Sequence, residues 1–68
     1  MSNRAIRKAI QSLRNRVLEH NQKIDLERMK PIRDEEVVAH WELEIQAFTV
    51  RIHRLEDRLA QRRRHGRL

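Results

Sequence analysis

The chain predicts an all-α fold, a hairpin of two antiparallel helices, and three observations carry that prediction. Val38, Trp41, Ile45, Phe48, Ile52, Leu55 and Leu59 recur at alternating steps of 3 and 4. The mean step of about 3.5 residues keeps such a stripe on one face of a helix, as in a coiled-coil seam. Ile6, Ile10, Leu13, Val17, His20 and Ile24 repeat the pattern upstream, with His20 the one polar member. Between the stripes lies Met29-Lys30-Pro31-Ile32-Arg33, which holds the single proline.

Composition agrees with this reading. One Gly and one Pro among 68 residues, with 38% charged and 38% hydrophobic, describe a polar chain built for helix. A length of 68 residues allows one small domain. Without cysteine there is no disulfide or thiolate-held zinc to staple it. Stability must therefore come from helix packing. The absence of Cys also fits a reducing, cytoplasmic setting, and no apolar run approaches the ~20 residues of a membrane span.

Taken in order, Ser2 and Asn3 offer side-chain oxygens to cap a first helix over about 3–28. Its first eighteen residues are Arg-rich and acid-free, an outward feature of transit peptides. The stripe runs on in phase to Ile24, however, which assigns them to the hairpin. A turn at 29–33 follows, where Pro31 removes a backbone donor and drives Lys30 out of helical geometry. Asp34 reads as the N-cap of a second helix over about 34–64, with Glu35 and Glu36 in a first turn whose dipole favours negative charge. Gly66 is a natural stop. The hairpin thus occupies residues 1–60, and 61–68 form a basic C-terminal extension.

Folding back at so short a turn fixes a register. The expected layers are Ile24 with Trp41, His20 with Ile45, Val17 with Phe48, Leu13 with Ile52, Ile10 with Leu55 and Ile6 with Leu59. In each, the two residue numbers add to 65. His20 either sits near the edge with its ring tip in water, the favoured reading, or forms a polar layer that fixes register. Ala39, Leu43, Ala47 and Val50 make a second, weaker apolar line on helix 2. Ordering each residue costs about 1.5 kcal/mol, which six half-covered layers do not offset. A homodimer closing into a four-helix bundle through that second line is the simplest remedy.

Charge is segregated along the chain. Residues 1–18 carry five bases and no acid, 19–46 eight acids against four bases, and 47–68 seven arginines against two acids. An antiparallel hairpin sets the two basic segments side by side and leaves the acidic middle at the turn. Arginine-dominated clusters favour phosphate through bidentate hydrogen bonds. Arg4, Arg7, Lys8, Arg58, Arg62, Arg63, Arg64 and Arg67 are the expected nucleic-acid contacts. Contact should be mainly with the backbone, because Trp41 and Phe48, the only aromatics of the Phe, Trp and Tyr class, are committed to the seam. A protein partner docking on the Leu43 and Val50 face is the alternative. An anionic membrane surface is disfavoured, since the apolar side of residues 4–18 is already used within the hairpin.

Nothing points to catalysis, a cofactor or a metal. There is no Cys or Tyr nucleophile and no Gly-rich phosphate loop. Glu36, His40 and Glu44 share one helix face and read as mutually attracting, solvated groups; neither Glu-x-x-His nor His-x-x-x-His occurs. The segment Lys30-Pro31-Ile32-Arg33-Asp34-Glu35-Glu36, after an Arg-rich helix, resembles over about seven residues the helix–loop region of helical chorismate mutases. These residues include no third helix to complete such an active site, so the likeness implies no activity. The expected architecture resembles that of small RNA-binding plasmid-copy regulators of bacteria, a likeness of fold alone.

Overall fold

The computed structural model describes the backbone of residues 2–66 and the side chains of residues 2–62. Two helices, α1 (Asn3–Arg28) and α2 (Glu35–Gly66), pack along one another as an antiparallel hairpin. Ser2 is the N-cap of α1; its hydroxyl oxygen accepts from the Ala5 N–H at 3.1 Å. Asp34 caps α2 as expected, its Oδ1 accepting from the N–H groups of Glu36 (3.1 Å) and Val37 (3.2 Å). With Glu35 and Glu36 in the first turn, that end of α2 is satisfied both by hydrogen bonds and by charge. The helix continues through 61–66 and ends at Gly66, two residues beyond the expected boundary.

The seam follows the two stripes. Ile6, Ile10 and Ile52 form a buried cluster against which Leu13, Val17, Leu55 and Leu59 pack, and Ile24 and Val38 are buried nearer the turn. Trp41, Ile45 and Phe48 are half-buried. Side-chain contacts that cross the hairpin join Arg14 to Glu56, His20 to Glu44 and to Phe48, Arg28 to Glu42, and Asn3 to Arg62. Residue numbers in these pairs add to between 64 and 70, at or within five of the expected 65.

Two features of the seam depart from expectation. The ladder runs one layer further at the turn, where Glu27 is only 8% exposed beside the buried Val38. Its carboxylate accepts from Lys30 Nζ at 3.1 Å and from the Asp34 N–H at 3.4 Å. A carboxylate in that position survives burial because both oxygens find donors. It ties the last turn of α1 to the capping residue of α2. His20 is the second departure: its side chain is 12% exposed, so the ring tip is not in water. Nδ1 lies 2.9 Å from the Arg16 carbonyl, Nε2 meets the Glu44 carboxylate, and the ring stands edge-on to Phe48 at 5.4 Å. Both nitrogens face acceptors, so only the doubly protonated ring donates to both. The His20 layer is polar because it reaches sideways to a charge, not outward to solvent.

The molecule is a rod with principal extents of 58 × 15 × 14 Å. No helix among the described residues is long and apolar enough to cross a membrane.

Candidate nucleic-acid interface

The antiparallel path brings the start of α1 beside the end of α2. Arg62 Nη1 donates to Asn3 Oδ1 at 3.3 Å, which fixes the two basic segments as neighbours at the open end. Arg4, Arg7, Lys8 and Arg58 are exposed there, and none has a carboxylate partner among the described residues. Arg62 is half-buried against α1. The backbone of 63 and 64 belongs to α2; the side chains of Arg63 and Arg64, and all of Arg67, lie outside the described residues.

Cations elsewhere divide by the flank of the seam on which they fall. On one flank, Arg14 Nη2 donates to Glu56 Oε2 at 2.9 Å and Arg28 Nη2 to Glu42 Oε1 at 3.2 Å. Both pairs run from α1 to α2, and all four side chains are about half exposed, so each is worth at most about 1 kcal/mol. They align the helices more than they stabilise them. Arg7, Gln11, Arg14, Glu56, Leu59 and Ala60 line, with Ile10, a groove of about 390 Å³ on this side. On the other flank a groove of about 330 Å³ is lined by Ala9, Ser12, Leu13 and Arg16 of α1 and Phe48, Arg51 and Leu55 of α2. Arg16 and Arg51 were not among the expected contacts. The signal was in the register: each follows or precedes a seam residue by one position, Arg16 before Val17 and Arg51 before Ile52.

Nearer the turn, Glu44 gathers two histidines. His20 reaches one carboxylate oxygen from α1, and His40 Nε2 lies 2.9 Å from the other, one helical turn away. The hydrogen bond from His20, above all, holds Glu44 below the ordinary carboxylate range; partial burial opposes this and the His40 charge reinforces it. Glu36, expected on the same face, is exposed and takes no part in the pairing. Among the described residues no group of three or more His, Asp or Glu side chains is arranged to hold a metal ion.

The second apolar line lies on the side of α2 away from the seam. Leu43 is 65% and Val50 48% exposed, and Ala39 and Ala47 are exposed with them. Among the described residues, neither the buried core nor the cross-hairpin hydrogen bonds, ion pairs and ring contact named above include a member of this line. Comparison of the chain with protein-family models, with curated proteins and with solved structures finds no match.

Proposed function

We propose that the chain is a non-catalytic, self-associating helical-hairpin module that grips nucleic-acid phosphates with its arginine-rich end. One observation carries this reading. The Asn3–Arg62 contact joins two basic segments at one end of a rod, and the exposed cations there have no acid to neutralise them among the described residues. At physiological salt the Debye length is about 8 Å, so the acidic turn of a 58 Å rod does little to cancel the potential at its far end. Such a cluster attracts polyanions by counterion release, whatever the sequence they carry.

Self-association is supported by area. A compact monomer of 8.3 kDa is expected to expose about 4,600 Å², whereas this rod exposes 5824 Å². The excess exceeds the roughly 800 Å² that each partner buries in a standard interface. Ala39, Leu43, Ala47 and Val50 supply an apolar strip on which small residues permit close approach. A cytoplasmic setting accords with a chain that holds no cysteine.

The test is fluorescence anisotropy of a labelled mixed-sequence duplex across a salt series. Log affinity should fall with log salt by about 0.9 per neutralised phosphate. Charge reversal of Arg62, Arg63 and Arg64 should flatten that slope while circular dichroism stays unchanged. Absence of binding at low salt removes the reading. The exposed Leu43 and Val50 face supports a second reading, a protein–protein adaptor. In that case Leu43→Glu or Val50→Glu abolishes partner capture and the basic end is dispensable.

A further inference from the structure

Midway along the rod the two flanks of the seam use arginine differently. Arg14 and Arg28 each meet a carboxylate of α2, at 2.9 and 3.2 Å. Across the seam at nearly the same level, Arg16 and Arg51 line one groove from opposite helices and meet no carboxylate among the described residues. Two guanidinium groups facing one groove repel each other. Helix packing gains nothing from that arrangement, and a glutamate at either position would have reproduced the pairing of the other flank.

The groove suits a small anion. Ala9 and Ser12 are short, which leaves about 330 Å³ of space between the helices. Leu13, Phe48 and Leu55, each half-buried, contribute its apolar walls, while Ser12, Arg16 and Arg51 are exposed. Two guanidinium forks and a serine hydroxyl are the donor set that a phosphate, with its several acceptor oxygens, requires. Arg58 follows Arg51 by seven residues, two helical turns, and so continues the same flank toward the open end.

We propose that the Ser12–Arg16–Arg51 groove is a phosphate seat that takes a phosphodiester of a strand lying along this flank of the hairpin. It rests on the polyanion-binding reading above but uses none of the residues assigned to the arginine-rich end. Its level lies about 20 Å along the rod from the Asn3–Arg62 contact, thirteen residues at about 1.5 Å each. Nucleic acid would then be held along the rod and not only at its tip.

The experiment uses the full chain with ¹⁵N-labelled arginine and two probes. Inorganic phosphate should shift the Nε–H resonances of Arg16 and Arg51 together and saturably, with Arg14 and Arg28 unmoved; Arg51→Gln should abolish the shift at Arg16. With a labelled mixed-sequence duplex, Arg16→Gln/Arg51→Gln should reduce the log–log salt slope by about 0.9, one phosphate. Arg14→Gln, at the same level on the opposite flank, should leave it unchanged. All arginines shifting alike, or no shift at Arg16 and Arg51, overturns the seat. A saturable phosphate shift with an unaltered duplex slope overturns the strand and leaves a seat for free phosphate. If the unaltered chain binds no duplex while phosphate still moves both resonances, the reading of the arginine-rich end fails and the seat stands.

Discussion

Ile52 and Val50 are two residues apart on α2, both β-branched, and the fold gives them opposite surroundings. Ile52 is 8% exposed against Ile6 and Ile10, whereas Val50 is 48% exposed on the outer face. Truncating each to alanine improves helix propensity by a few tenths of a kcal/mol, so the difference between the variants reports burial. Ile52→Ala removes three carbon groups at about 0.8 kcal/mol each and leaves a cavity, for a net loss of about 2–4 kcal/mol. A domain of this size shifts by about 4–8 °C per kcal/mol, so the melting temperature should drop by at least about 8 °C. Val50→Ala should leave the dilute chain within about 0.5 kcal/mol of the parent. If the outer face joins two copies, Val50→Ala lowers the melting temperature only at high concentration, because association stabilises by mass action. The assay is thermal denaturation followed by circular dichroism at two concentrations at least fifty-fold apart. Equal losses for both variants at the lower concentration would refute the assignment of faces, and with it the register.

Three further outcomes follow from particular contacts. Glu44 has a carboxyl pKa below its ordinary value of 4.5, so its contribution is complete above that value and is lost as pH falls through the depressed one. Melting temperatures of the parent and Glu44→Gln should therefore differ near neutrality and converge in acid; a constant gap from pH 7 to pH 3 contradicts the His20–Glu44 pairing. Glu27→Ala removes the acceptor of the Asp34 N–H and should cost about 1 kcal/mol. Hydrogen exchange should then quicken at Asp34 and around the turn, and unchanged exchange there would show that the carboxylate does not hold it. Asp34→Ala removes an N-cap that serves two N–H groups and should cost about 1 kcal/mol in urea denaturation. Asp34→Asn should recover most of it.

The hairpin was legible because its determinants are local and periodic. Alternating steps of 3 and 4 named the seam residues, and Pro31 followed by Asp34 located the turn and the cap. Glu27 escaped because an apolar-pattern reading ends at Ile24, the last hydrophobic member of its stripe. The next position in phase is a carboxylate, and its burial depends on Lys30 and the Asp34 N–H, which only the closed turn delivers. The partner of His20 escaped for a related reason. Counting along α2 alone places Glu44 with His40 and Glu36, but it is next in sequence to Ile45, the expected layer partner of His20, and the closed hairpin brings it to the His20 ring. Arg16 and Arg51 lie 35 positions apart in the sequence and share a groove only once the hairpin closes.

The distribution of charge then separates what the fold uses from what it leaves over. Glu42, Glu44 and Glu56 are each engaged by α1, and Glu27 secures the turn, so these acids act within the hairpin. Cations outnumber acids, 16 Lys and Arg against 10 Asp and Glu, and among the described residues several without an acid partner lie at the open end and along one flank. Exposed like charges there repel one another and weaken the compact state. Folding supplies no return for that repulsion, because Arg4, Arg7, Lys8, Arg16, Arg51 and Arg58 have no acid partner among the described residues. A bound polyanion relieves it directly. The parent chain should consequently gain more thermal stability from a duplex at low salt than a variant with charge-neutral Arg16, Arg51 and Arg58. A merely solvated basic surface would show no such difference between the two chains.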